Sequence, residues 1–264
     1  MTTNHSPFRG LGGIPNFFTL LNLVFGCIAI VFILQNGIII TADNNGAQLI
    51  DIPEKIWLAS LFIGLAAIVD FFDGFIARLF KSTSKMGQQL DSLADLVSFG
   101  VAPALILYQF LRLSFAQDEG GMDISILWLL ISFLLPCAAA YRLARFNLDS
   151  NTSFSFKGLP VPAVGILVAS LPLLYWHSDK AWLINLLLNK WFLYGLILLL
   201  SFLMVSSLPM MSLKFKDFTL KNNWSKYLLA GITIITVIFL KWLAVPVIFI
   251  LYVILSLAFK NKTT

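Results

Sequence analysis

Two aspartate pairs, Asp70 with Asp73 and Asp91 with Asp95, stand in mostly apolar sequence on either side of a short basic turn, in VDFFDGFIARLFKSTSKMGQQLDSLAD. A carboxylate inside a lipid-spanning segment is costly to desolvate, so four at this spacing point to a cation held in common. On a helix, Asp70, Asp73 and Ala77 fall within an arc of roughly 60°, and Gly87, Asp91 and Asp95 within about 80°. Counted from helix ends near Phe80 and Gly87, Asp73 and Asp91 lie one to two turns in, and Asp70 and Asp95 about a turn deeper. Antiparallel neighbours would set the four level in one cage. Gly74 and Ala77 remove bulk beside the acids, as the approach of a large polar ligand requires. An oxygen-only donor set favours Mg²⁺ or Mn²⁺, hard cations that usually work with a phosphate-bearing substrate.

The elements that carry these residues are membrane spans. Of 264 residues, 59% are hydrophobic and 12% charged, and the apolar runs reach the length that crosses a bilayer. Eight candidates follow, at about 15–35, 56–80, 87–111, 124–147, 159–177, 187–208, 226–241 and 243–260. The last two are joined by a tight turn at Lys241 to Ala244. Thirteen of the 18 lysines and arginines then fall on one side, which places both termini, and the turn between spans two and three, in the cytoplasm. Spans two and three are expected to be adjacent and antiparallel. The net charge of +5 sits in short loops between spans, so nucleic-acid binding is not expected. Trp57, Tyr108, Trp128, Tyr175, Trp176 and Trp191 cluster near span ends, where amphipathic rings favour the headgroup region. Cys27 and Cys137 have no pairing motif and read as small buried residues. The first thirteen residues are too polar for a signal peptide, so the first span is expected to stay attached. Asn36 to Glu54 reads as an outward loop.

The order D-x-x-D-G-x-x-A-R, eight residues, then G-x-x-x-D-x-x-x-D resembles the signature of the CDP-alcohol phosphotransferase family, matched at Asp70, Asp73, Gly74, Ala77, Arg78, Gly87, Asp91 and Asp95. The resemblance implies an all-α polytopic membrane protein: a cytoplasmic segment at 1–14, a six-span catalytic core at 15–208, and a cytoplasmic loop with two further transmembrane helices at 209–264. It implies transfer of a phospho-group from a CDP-linked lipid to an alcohol, with release of CMP. It also implies two divalent ions, Mg²⁺ or Mn²⁺, held by Asp70, Asp73 and Asp91 with help from Asp95, and Asp95 as the base toward the acceptor hydroxyl. Two ions would neutralise the diphosphate and stabilise the attacking and leaving oxygens of an in-line displacement. Arg78 and the turn of Ser82, Thr83, Ser84 and Lys85 are placed to meet phosphate or cytidine. Asn16, Thr19 and Asn22 share one face of the first span at cage depth, and the resemblance assigns that face, with Asp70, Gly74, Ala77, Arg78, Ser84 and Gly87, to the CDP-lipid. A homodimer is implied by the same resemblance.

For the acceptor, SFGVAPA after Asp95 and RLARFNLDSNTSFSFKGLPVPA across spans four and five are similar to stretches of membrane-embedded phosphatidylserine synthases. That similarity implies CDP-diacylglycerol as donor and L-serine as acceptor, in a bacterial-type inner membrane. Serine carries a carboxylate, which suits a guanidinium fork, and Arg142 and Arg145 lie three residues apart near the cytoplasmic end of span four, with Lys157 beyond. All three also fit as positive-inside anchors. Ser98, one turn past Asp95, shares the aspartate stripe and is a candidate for the acceptor pocket; bonding to its own helix backbone is the commoner role. Pro103, Pro160 and Pro162 are expected to bend or start helices around the cavity. Glycerol 3-phosphate or an inositol phosphate is the alternative acceptor. A divalent cation transporter would need polar residues through the outer half of spans two and three, and Leu61 to Ile68 and Val101 to Leu107 are apolar apart from Gly and Pro.

Overall fold

A computed structural model describes residues 13–42, 48–79, 84–148, 156–210 and 220–258. Its helices are α1 (Gly13–Gln35), α2 (Trp57–Leu79), α3 (Lys85–Asp95), α4 (Ala102–Ala116), α5 (Leu127–Leu130), α6 (Leu134–Leu148), α7 (Val161–His177), α8 (Ala181–Leu187), α9 (Lys190–Val205), α10 (Leu220–Leu240) and α11 (Ala244–Ala258). A π-helical segment, Leu96–Val101, joins α3 to α4, and 3₁₀ turns join α5 to α6 and α10 to α11. Five stretches (Asn16–Gln35, Glu54–Ile76, Lys85–Ala116, Leu127–Leu148 and Tyr227–Ala258) are long and apolar enough to cross a bilayer, six with the α8–α9 pair, which is bent by 67°. The last of the five is 32 residues long and breaks at Lys241, whose φ of 48° ends α10. The 3₁₀ turn after α10 and the start of α11 pack against α7 near His177, while α11 also meets the short strand after α9. The stretch therefore doubles back, as two spans. α7 is a shorter apolar helix. The third expected span runs further than 87–111, through to Ala116.

One face of each helix is consistently buried. In α1 the stripe is Thr19, Asn22, Gly26, Ala29 and Ile33, at the 3–4 spacing of a helix face. Phe17, Leu20, Val24, Val31 and Leu34 point outward, as lipid solvent permits. In α2 the buried stripe of Ala59, Ile63, Ala66 and Val69 runs directly into Asp70 and Asp73. Close backbone approach at two glycines sets the centre of the bundle. A Cβ on Gly26 would collide with the Ser98 hydroxyl, and one on Gly165 would lie 2.8 Å from the Phe99 Cβ. Phe99, Ile106, Leu107, Phe110 and Leu111, all 0–1% exposed, fill the space between α1, α4, α7 and α9.

The outward loop and the two cysteines differ from expectation, and a second strand pair joins the helices. The outward loop holds a hairpin of β1 (Ile39–Ala42) and β2 (Gln48–Asp51), antiparallel, with Ile39 opposite Asp51. Its strands carry the β-branched Ile39, Ile40, Thr41 and Ile50, which favour extended pairing. A second ribbon pairs β3 (Phe156–Lys157) with β4 (Pro209–Met210), where Gly158, at φ 74°, passes so close to the end of α9 that a Cβ would collide with the Met204 carbonyl oxygen. Cys27 and Cys137 are exposed rather than buried: in a bilayer the lipid-facing side suits a small apolar thiol equally well. α1 is the principal partner of α2 and also packs on α3, while α2 meets the π segment that continues α3, so that the aspartates of spans two and three face each other.

Candidate active site

The acids meet between α2 and α3. One carboxylate oxygen each from Asp70, Asp91 and Asp95 lies within 4.8 Å of the other two. Asp95 and Asp73 are each 7% exposed, and Asp70 and Asp91 are partly buried. Like charges this close repel by a few kcal/mol per pair, at an effective dielectric of about 20. Among the described residues no lysine or arginine forms an ion pair with any of them; the pair seen there is Lys190 with Asp118, elsewhere in the molecule. Simple ion pairing therefore does not account for the cluster, and three converging, partly desolvated oxygens fit a hard divalent cation. Asp73 stands apart from the trio. It accepts a hydrogen bond from the Thr19 hydroxyl of α1.

The polar face of α1 thus touches the acids themselves. Asn22 donates through Nδ2 to the Asp95 Oδ1 at 3.2 Å, while its own Oδ1 is buried with no hydrogen-bond partner among the described residues. Asn16 stands at the entrance, where a Cβ on Gly87 would come 3.1 Å from its Oδ1 and 3.1 Å from the Ser84 hydroxyl. Ser84 caps α3, accepting from the Gly87 N–H at 2.9 Å. Gly87 is therefore small because α1 and the cap crowd it. Gly74 faces open space, and a Cβ placed there would meet nothing within 4 Å. The side chains of Ala77, Arg78 and Lys157, and Ser82 and Thr83 of the turn, lie outside the described residues.

Ser98 is fully buried, and its hydroxyl donates to the Asn22 carbonyl at 3.0 Å. Its contacts tie the π segment to α1 and do not support a place in the acceptor pocket. The two arginines of α6 part company. Arg145 donates to the Val205 carbonyl at 3.2 Å, satisfying the last turn of α9. Arg142 is half-buried and keeps its Nε without a hydrogen-bond partner among the described residues. A clasp between α3 and α6 is a contact the sequence does not foretell. Gln88 donates to Asn147 Oδ1 at 3.2 Å, Asn147 donates to the Ser92 hydroxyl at 3.0 Å, and Ser92 returns to the Gln88 carbonyl at 3.1 Å. Asn147 belongs to the RLARFN stretch, so the motif marks its position but not its partner helix.

A family model of CDP-alcohol phosphatidyltransferases matches residues 13–202, which takes in α1 through most of α9 and the whole carboxylate site. The chain belongs to the CDP-alcohol phosphatidyltransferase family. Among its relatives is the CDP-diacylglycerol–serine O-phosphatidyltransferase of Helicobacter pylori (strain J99), 35% identical over 217 residues, or 81% of this chain and 78% of the relative. The protein of the same name from Saccharomyces cerevisiae is 42% identical over 128 residues, 45% of this chain and 42% of that one. A third, from Bacillus subtilis, is 30% identical over 162 residues, 61% of this chain and 76% of its own length. As a member of a family of metal-dependent phosphotransferases, the chain has in Asp70, Asp91 and Asp95 a donor set that suits such an ion. Both α10 and α11 fall beyond the family match.

Proposed function

We propose that this protein transfers the phosphatidyl group of CDP-diacylglycerol to the hydroxyl of L-serine and releases CMP. The observation that carries the reading is the cage itself: oxygens of Asp70, Asp91 and Asp95 converge within 4.8 Å, Asn22 bonds Asp95, and the half-buried Arg142 of α6 has an Nε without a hydrogen-bond partner among the described residues. The names of the relatives support the same chemistry.

Asp70, Asp91 and Asp95 would hold two ions, Mg²⁺ or Mn²⁺, with Asp73 completing the set while Thr19 orients its carboxylate. When bound, such ions neutralise the diphosphate and polarise the phosphorus–oxygen bonds. The chain's own groups do the rest. Asn22 fixes the rotamer of Asp95 through Nδ2, and its spare Oδ1 is free to take a donor of the CDP group, together with Asn16 and the Gly87 entrance. Gly74 leaves the α2 backbone open to the diphosphate. Arg142 binds the serine carboxylate and so directs its hydroxyl toward Asp95, which takes the proton as the oxygen attacks phosphorus. One phosphorus–oxygen bond forms to serine, the one to CMP breaks, and the leaving phosphate carries away the electron pair. The clasp of Gln88, Ser92 and Asn147 keeps α6, and with it Arg142, in register with α3.

The reading includes a homodimer in the inner membrane, with the active site and both termini cytoplasmic, a side assignment that rests on the distribution of lysine and arginine. Incubating purified protein with CDP-diacylglycerol, Mn²⁺ or Mg²⁺ and labelled serine, with CMP followed in parallel, should give phosphatidylserine and CMP in equal amounts. CMP release that needs glycerol 3-phosphate or an inositol phosphate, with none from serine, would overturn the acceptor.

A further inference from the structure

A cavity of about 520 Å³ opens between α2, α7 and the turn that joins α10 to α11. Trp57, Leu61, Gly64 and Ile68 form its α2 wall, at the 3–4 spacing of one helix face, and Trp242 and Val245 form the wall on the C-terminal pair. α7 packs on both walls and lies between them. Asp70 and Asp73 fall about 120–180° around α2 from its wall, so the cavity is separate from the carboxylate cage. Leu61, Ile68, Ile166 and Trp242, each 38–54% exposed, leave it open toward lipid. Its length matches one leaflet: α2 rises roughly 16 Å from Trp57 to Ile68, against about 15 Å for half the hydrocarbon core. Trp57, His177 and Trp242 gather at one end, where their neighbours Ile56 and Trp176 share an apolar cluster and the His177 and Trp242 rings stand 6.0 Å apart. Rings of this kind favour the headgroup level. One turn deeper stands Ser60. It is 5% exposed, and its hydroxyl has no hydrogen-bond partner among the described residues, whereas Ser170, the other serine of the lining, donates to the Leu167 carbonyl at 2.6 Å. A donor left unpaired in a bilayer is costly, and just beneath the headgroups the acceptors at hand are the ester carbonyls of glycerolipids.

We propose that this cavity binds a diacyl glycerophospholipid of the leaflet away from the α2–α3 turn: one acyl chain lies along Leu61, Gly64 and Ile68, and its ester carbonyl accepts the Ser60 hydroxyl. The aromatic end brackets the headgroup. The chain fills the space between α2 and the C-terminal pair, so the lipid ties α10 and α11, which lie beyond the 13–202 family match, to the core. No step of the transfer passes through it.

The test uses the full-length protein, stripped of lipid in dodecyl maltoside, with palmitoyl-oleoyl phosphatidylcholine returned in mixed micelles. Native mass spectrometry counts the lipid retained per chain, and the melting temperature is followed as lipid is added. Wild type should keep one phosphatidylcholine and melt higher with more lipid, since a ligand that binds only the folded state stabilises it. Gly64→Leu puts a side chain where a Cβ meets nothing within 4 Å, so it fills the cavity without strain and should abolish both effects. Ser60→Ala should weaken retention about two- to tenfold, the worth of one hydrogen bond. The dialkyl ether analogue, which has no ester carbonyl, should bind wild type and Ser60→Ala alike, and this comparison stands whether or not Gly64→Leu folds. CMP release at saturating substrates should stay within about twofold in both variants, which also reports on their folding. Unchanged retention in Gly64→Leu, or equal binding of ester and ether lipids by wild type, would overturn the proposal. So would displacement of the retained lipid by CDP-diacylglycerol, which would make the cavity a tail site of the donor. Loss of a dimer in Gly64→Leu at unchanged retention would overturn it too, and make the cavity an interface between copies.

Discussion

On α2 and α3 three carboxylates from two helices meet within 4.8 Å, whereas on α6 Arg142 keeps an Nε without a hydrogen-bond partner among the described residues while its neighbour Arg145 is committed to the end of α9. The first side is redundant in charge and rigid in spacing. The second is sparse, and in the serine reading proposed above its specificity depends on which of the two arginines packing leaves over. The difference follows from the ligands: a divalent ion needs several oxygens at fixed distances, but a carboxylate needs one planar donor group and a wall to hold it.

Removing a cage oxygen should have the largest effect. Asp70→Asn and Asp91→Asn are expected to lower turnover on the order of a thousandfold or more and to abolish tight Mn²⁺ binding, read by electron paramagnetic resonance, because each deletes a charged ligand from a desolvated site. Asp73→Asn, whose carboxylate lies outside the trio, should lose less Mn²⁺ affinity than either. Next comes the base. Asp95→Asn should cut turnover by a factor on the order of hundreds, while CDP-diacylglycerol still binds in a direct lipid-binding measurement. A loss of donor affinity at unchanged maximal rate would make Asp95 a ligand alone.

The acceptor side should respond less and more selectively. Arg142→Gln is expected to raise the serine KM by roughly 10- to 150-fold, the worth of about 1.5–3 kcal/mol for a charged hydrogen bond, with Lys a poor substitute. Arg145→Gln should leave the serine KM nearly unchanged and instead lower thermal stability in detergent, by about 1 kcal/mol for a lost hydrogen bond to the end of α9. If Arg145→Gln matched Arg142→Gln in the serine assay, the contrast between the two arginines would disappear.

This contrast also explains how much is legible in the chain without its structure. Metal ligation forces acids onto one face at intervals of three or four, so Asp70, Asp73, Asp91 and Asp95 announce themselves, and long apolar runs announce the spans. The polar face of α1 is equally plain, but whether Thr19 and Asn22 touch ligand or aspartate depends on how far α2 and α3 stand apart. The approach of α1 to the third span turns on Gly26 against Ser98, a contact between residues 72 positions apart in sequence. Arg142 and Arg145 are indistinguishable by periodicity, since both lie within one turn; the end of α9 decides between them. Ser98 has the right face for the pocket, but the π segment and the close approach of α1 turn its hydroxyl onto the Asn22 carbonyl.

The π segment Leu96–Val101 directly follows Asp95 and precedes the tightly packed α4. Its backbone bonds run five residues back instead of four, so the segment carries surplus chain for the height it climbs. A deletion of one residue anywhere within it would let the backbone relax into an ordinary α-turn and still cross the bilayer. That deletion would leave Asp91 and Asp95 nearly in their present phase with the packing face of α4, whereas winding all six residues as α-helix would turn them by about 100°. The segment is a phase-setter between the aspartates and the anchoring helix: its surplus residue is taken up by the wider turn, so the two faces keep the register that a plain α-helix one residue shorter would have.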